Sequence, residues 1–129
     1  MTDIDSIMQM LDWKQSDDVQ NEGLRLAKEV ESIQAFLQPC NRNFNKNVWE
    51  NCAKVLSERS DEELLSYLVP LMEWMQDMNW PGADCILDRL RRFSDQTSLT
   101  HAYQHCLTCA RAQKDAAWEA NLHKLLKSS

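Results

Sequence analysis

The chain of 129 residues carries 14 Lys and Arg against 20 Asp and Glu, a formal net charge of −6, and its densest basic stretch is Arg89, Arg91 and Arg92 behind Asp84 and Asp88. Proteins that track phosphate backbones need basic patches to release counterions, so the charge argues against a nucleic-acid binder. Two Gly and three Pro are too few turn residues for a strand-rich fold, while an apolar fraction of 43% suits one folded domain, residues 1–129, burying roughly two-thirds of its unfolded surface.

Ile4, Ile7, Met8 and Leu11 fall at i, i+3, i+4, i+7 behind a capping Thr2, which predicts a first helix ending near Lys14. Ser16, with Asp17 and Asp18, caps a second helix whose stripe is Val19, Gly23, Leu26, Ala27 and Val30. Gly23 there costs helix propensity but permits close approach of a neighbour. Ile33, Phe36 and Leu37 continue or restart the helix before Pro39, and the Asn-rich segment Cys40 to Lys46 reads as a loop. Val48, Trp49, Cys52, Ala53 and Leu56 mark a third helix. Ser60 to Glu63 then forms a capping box, in which each residue's side chain accepts from the other's amide. Pro70 interrupts the next apolar run and either kinks one helix or begins a second from about Pro70 to Met78; two helices are the expectation.

Asn79, Trp80, Pro81 and Gly82 predict a sharp turn, with Pro81 opening a helix that buries Ala83, Ile86, Leu87, Leu90 and Phe93. Asp84, Asp88 and Arg92 lie opposite at pairing distance. Thr97 or Ser98 caps a helix with Leu99, Ala102, Tyr103, Cys106 and Ala110 inward. Asp115 caps the last one, with Trp118, Leu122, Leu125 and Leu126 inward and Lys124 and Lys127 near its negative end. No segment alternates with period two. Laid over itself, the chain matches Ile7, Met8, Leu11, Val19, Gly23 and Leu26 with Leu71, Met72, Met75, Ala83, Leu87 and Leu90. Repeated antiparallel helix pairs predict an α-solenoid of about six to eight helices, with a compact helical bundle as the alternative.

The N-terminus has acids where a signal peptide has basic residues, and no window approaches the ~18 apolar residues of a membrane helix. Five cysteines, Cys40, Cys52, Cys85, Cys106 and Cys109, sit mostly within helical patterns and read as reduced thiols of a soluble cytoplasmic protein.

Residues 71–83, Leu-Met-Glu-Trp-Met-Gln-Asp-Met-Asn-Trp-Pro-Gly-Ala, resemble a motif of the Trp-Leu-Gln-Asp-Met-Asn-Trp-Pro type. It is carried by a family of small bacterial helical proteins known only as a domain of unknown function. The resemblance is clearest from about Asp61 to Phe93 and extends weakly to Asp115–Trp118. It implies a HEAT-like fold, in which a proline (here Pro70) and an aspartate (here Asp77) are familiar features of the second helix. Similar small helical domains occur among immunity proteins of bacterial toxin systems; the family transfers no catalytic residue.

The same motif has a structural explanation from its residues. Asp77 or Asn79 accepts from free amides of the following helix, while Trp74 and Trp80 fill space between helix pairs. Its alternative is a binding surface of Trp74, Asp77, Asn79, Trp80, Asp84 and Asp88, since Trp is enriched at binding hot spots. The acids Glu62, Glu63, Glu73, Asp77, Asp84 and Asp88 read first as a solvated helix surface, and otherwise as a negative face beside the motif.

His101, His105, Cys106 and Cys109 are zinc-ligating types on one helix. At ~100° per residue Cys106 points into the apolar stripe and His101 outward, so they do not converge and buried thiols are the expectation. With Gly23 and Gly82 alone, phosphate loops, dinucleotide folds and nucleophile elbows are excluded. The expectation is a non-enzymatic protein-interaction module without cofactor or metal, in sharper form an immunity-type protein neutralising a bacterial toxin. The alternative is a metal-binding or enzymatic accessory built on the His101 to Cys109 helix.

Overall fold

Helices begin in this chain where short polar side chains precede an apolar stripe. A computed structural model describes residues 3–41 and 45–126, excluding the side chains of residues 40 and 41. Helix α1 spans Ile4–Leu11 and buries Ile7, Met8 and Leu11, the expected stripe. Its cap is Asp3, which accepts from the Ser6 amide at 2.8 Å; the expected Thr2 lies outside the described residues. The helix stops short of Lys14. Asp12 turns extended at ψ 124°, and the Trp13 amide leaves the helical ladder to donate to the Asn47 carbonyl at 3.0 Å.

Helix α2, Asp17–Ala27, is capped by Ser16 as expected. It meets α1 at Gly23, where a Cβ would lie 2.7 Å from the Met10 Cβ, so the predicted close approach is present. Val19 is 36% exposed, against expectation, because it sits in the first turn of α2, past the last residue of α1. Ile33–Phe36 forms a 3-10 turn with Ile33, Phe36 and Leu37 buried. Helix α3, Gln38–Asn41, enters the predicted Cys40 to Lys46 loop; residues 42–44 of that loop lie outside the described residues, and Lys46–Val48 is a 3-10 turn.

Helix α4, Trp49–Ser57, buries its predicted face and also Asn51 and Val55, because it packs against neighbours on several sides. Asn51 donates to the Leu11 carbonyl at 2.7 Å, satisfying one of the free acceptors at the end of α1, and to Gln20 Oε1 at 2.9 Å. Helix α5, Asp61–Leu64, opens on the predicted capping box. A 3-10 turn, Leu65–Tyr67, separates it from α6, Leu68–Glu73, and Trp74–Gln76 is again 3-10. There are thus two helices, as expected, but the second starts two residues before Pro70 and ends at Glu73. Pro70 is still in its first turn, where a missing amide costs no intrahelical bond.

Helix α7, Ala83–Arg91, buries Ala83, Ile86, Leu87 and Leu90, with Phe93 just beyond. Pro81 does not open it. The N-cap is Gly82, in the left-handed region at φ +87°. Helix α8, Gln96–Ala112, is capped by Asp95, whose carboxylate accepts from the Ser98 amide at 3.0 Å; Thr97 and Ser98, expected as caps, lie inside it. Helix α9, Ala116–His123, has the predicted Asp115 cap and buries Trp118 and Leu122. Leu125 is buried in the closing 3-10 turn, but Leu126 is 67% exposed, because that turn moves it off the inward face; Lys127 lies outside the described residues.

The architecture is all-α, with no strand among the described residues and one continuous core. Helix α1 packs on α2, α4 on α7, α6 on α8 and α8 on α9. The two segments that match in sequence therefore differ in partners: α1 and α2 face each other, whereas α6 turns chiefly to α8 and α7 to α4, which closes the helices into compact packing. No described helix is long and apolar enough to cross a membrane.

A polar cluster ties this packing together. Arg59 donates to the carbonyls of Ala27 at 2.8 Å and Val30 at 2.7 Å and pairs with Glu63 at 2.8 Å. Arg89, part of the densest basic stretch, is buried and donates to the Arg59 carbonyl at 3.0 Å and to Asp61 Oδ1. The other Asp61 oxygen accepts from the Ser94 amide at 2.9 Å and hydroxyl at 2.6 Å. These bonds, Ser94 first and Arg89 next, hold the Asp61 carboxyl at about 2 instead of 3.8. A carboxyl with a depressed folded value contributes its stabilisation above the unfolded value and loses it as pH falls towards the folded one. The melting temperature is therefore expected to drop between about pH 4 and pH 2, and Asp61→Asn to lose part of that acid limb; an identical limb in a scanning-calorimetry titration would contradict the network.

Candidate functional site

The motif between Trp74 and Gly82 is held from inside. Trp74 is fully buried and its indole Nε1 donates to the Pro81 carbonyl at 2.9 Å, which fastens the turn to the start of the preceding 3-10 segment. The Trp80 amide donates to the Asp77 carbonyl at 3.0 Å and the Ala83 amide to the Trp80 carbonyl at 3.1 Å, closing two consecutive turns. Gly82 completes the approach to α4: a Cβ there would stand 2.6 Å from the Ala53 Cβ and 3.0 Å from the Trp49 carbonyl oxygen. Trp49 meets Trp74 edge-on at 6.1 Å and Trp80 at 5.4 Å, geometries that oppose ring edges to ring faces. Trp49 Nε1 is buried with no hydrogen-bond partner among the described residues, and its ring contacts hold it in place.

Two of the expected roles change. Asp77 and Asn79 do not cap α7; Asp77 Oδ1 instead accepts from the Asn79 amide at 2.8 Å, a local turn that leaves the helix to begin at Gly82. Trp74, expected on the binding surface, belongs to the core, because its indole N–H is consumed by Pro81. The remaining positions do reach solvent: Asn79, Asp84 and Asp88 are exposed, and Asp77 and Trp80 half-buried. Asp88 pairs with Arg92 at 3.3 Å as its spacing predicted. Lys46, which the sequence did not single out, lies over both Trp49 and Trp80, 5.7 and 5.9 Å from the ring centroids. Its contact with Trp80 joins residues far apart in the chain, which no local signal marks.

The acids do not form one face. Glu63 is bound to Arg59 and Ser60, while Glu73 lies half-buried towards α8, its carboxyl pushed up by burial against the pull of His105. Asp84 and Asp88 remain on the outer side of α7.

On α8, His101 and His105 are exposed and Cys106 is buried, its thiol 4.0 Å from the Val69 carbonyl. Burial, with Glu73 and Cys109 nearby, pushes the Cys106 thiol up to about 12. Cys109 and His105 meet at 3.7 Å, but among the described residues no group of three or more His, Cys, Asp or Glu side chains is placed to hold a metal ion. The thiols of Cys52, Cys85, Cys106 and Cys109 are free.

Residues 45–129 match the family model described as a domain of unknown function (DUF5071). The match begins beside the 3-10 turn that leads into α4, and it includes the whole motif. No curated protein and no solved structure matches the chain.

Two outcomes follow from the site geometry. Gly82→Ala adds left-handed strain of roughly 1–2 kcal/mol and overpacking of roughly 1–3 kcal/mol; denaturant melts are expected to show about 2–5 kcal/mol lost, with Ala53→Gly restoring only the overpacking share. A loss below 0.5 kcal/mol, roughly the scatter of surface substitutions, would mean that the turn does not press on α4. In the folded protein at pH 8, Cys106 is expected to resist alkylation until denaturant is added, and rapid labelling read by mass spectrometry would contradict its burial.

Proposed function

This chain belongs to the DUF5071 family, and from that premise we propose that it is a non-enzymatic protein-interaction module whose binding surface is the outer side of the motif turn and α7. The observation that carries the reading is the division of the motif into two sides. Trp74, Pro81 and Gly82 fix it to α4, and Asn79, the half-buried Trp80, Asp84 and Asp88 are presented from that fixed base. A surface that does not have to be ordered on binding loses less entropy, and an aromatic beside exposed polar groups is the composition of a binding hot spot. Helix pairs such as α1–α2 and α8–α9 support reading the array as HEAT-like.

The sharper form is a bacterial immunity-type protein that neutralises a toxin. Two exposed aspartates on a chain of net charge −6 favour a basic partner, which opposite charge would capture faster. Four free thiols support a reducing cytoplasm. The test is co-expression with the toxin encoded beside its gene: cells carrying the chain should survive. Asp84→Lys with Asp88→Lys should slow association at least tenfold in stopped-flow mixing, with only a small fall in melting temperature from loss of the Asp88–Arg92 pair. Unaltered association would remove α7 from the interface, and the absence of any toxin gene alongside would count against the immunity role.

A further inference from the structure

A second surface lies between α1 and α2. Where α1 begins and α2 ends, a groove of about 710 Å³ opens, within the range of roughly 300–1,000 Å³ typical of ligand clefts. Its floor is apolar: Ile4 and Ile7 come from successive turns of α1, and Leu26 and Val30 from the last turn of α2 and just past it. Its rim is acidic, formed by Asp3, Glu29 and Glu31.

The groove is fixed in shape. Gly23 brings α2 against Met10, setting the angle between its walls. The turn after α2 is closed by Glu29 N–H to Leu26 O and Val30 N–H to Ala27 O, both 3.1 Å, and the Arg59 guanidinium grips the Ala27 and Val30 carbonyls from behind. The charges around it are one-sided. Arg25 is bound to Glu22 at 2.7 Å and also feels the charge of Glu29, Lys28 is bound to Glu58 at 3.4 Å and Arg59 to Glu63 at 2.8 Å, so the neighbouring cations each have a first partner outside the rim. Glu29 and Glu31 form no ion pair within the described residues, and the Asp3 carboxylate accepts from the backbone and side chain of Ser6.

We infer that this groove is a docking site for a cationic amphipathic helix of a partner protein. Apolar residues spaced i, i+3/i+4, i+7 on the incoming helix would fill the floor, and lysines or arginines flanking them would meet Asp3, Glu29 and Glu31. A neutral or acidic helix with the same apolar face would fill the floor but leave the rim acids unpaired or opposed. The surface is separate from the motif face: it is built from α1 and α2, outside the family match of residues 45–129, and does not depend on the function proposed above.

The test uses the whole chain and three 18-residue peptides: leucine and lysine with the leucines on one helical face, the same composition with the leucines scattered, and the first design with glutamate for lysine. The segregated cationic peptide is expected to bind by fluorescence anisotropy, more weakly as salt rises, and to shift the methyl resonances of Ile4, Ile7, Leu26 and Val30. Glu29→Gln with Glu31→Gln, both on the surface, should weaken it at least threefold without altering the melting temperature, and Leu26→Asp should remove binding. The Asp84→Lys, Asp88→Lys variant should bind as the parent does, which separates failure here from failure of the motif face. Equal binding of the scattered or glutamate peptide, insensitivity to the Gln pair, or shifts confined to α7 would overturn the inference. So would self-association in sedimentation that Leu26→Asp abolishes, which would give the groove to a second copy of the chain.

Discussion

Helix α7 lies against α4 because residue 82 has no side chain. At φ +87° with Ala53 and the Trp49 carbonyl at contact distance, that position leaves no room for a Cβ, and the direction in which α7 leaves the turn follows from it. The other end of α7 is fixed by charge: Arg89 is drawn inward by Asp61 and the Arg59 carbonyl, and Asp61 in turn binds Ser94 in the link to α8. One helix is thus clamped by sterics at its start and by a half-buried, hydrogen-bonded ion pair near its end. The ion pair is tolerable because nearly every polar atom in it has a partner.

Carbonyls at helix ends receive similar treatment elsewhere. Arg91 donates twice to the Lys124 carbonyl at the end of α9, Trp118 and Asn121 of α9 donate to the Met72 and Met75 carbonyls, and Asn51 takes the end of α1. Short helices leave many free acceptors for their length, and here long-range side chains meet several of them. The helices are consequently bound to one another by hydrogen bonds as well as by apolar burial, giving rigid supports for both surface features, the motif face and the α1–α2 groove.

Those two surfaces share a logic while differing in chemistry. Each has a buried side fixed by glycine contact or arginine hydrogen bonds and an outer side that carries acids around apolar area. Both lie on a chain of net charge −6, but the groove has depth and the motif face an aromatic edge.

Local signals were enough for much of the chain. Ser16, the Ser60–Glu63 box and Asp115 cap helices because capping depends on residues within one turn, and the stripes of α4, α7 and α8 follow from 3.6-residue periodicity. An all-α fold and a place in a family of unknown function were both anticipated from the sequence. The exceptions have tertiary causes. Val19 and Leu126 are exposed because the neighbouring segment ends or changes pitch, and Pro81 yields the helix start to Gly82 because Trp74 holds its carbonyl. Arg89, Arg59 and Asn51 look like ordinary surface residues until partners some thirty to forty positions away are brought to them. By itself the sequence determined where helices form and which sides are apolar. Only the tertiary structure decided which polar residues went inside and which side of the motif stayed out, since both depend on contacts between segments distant in the chain.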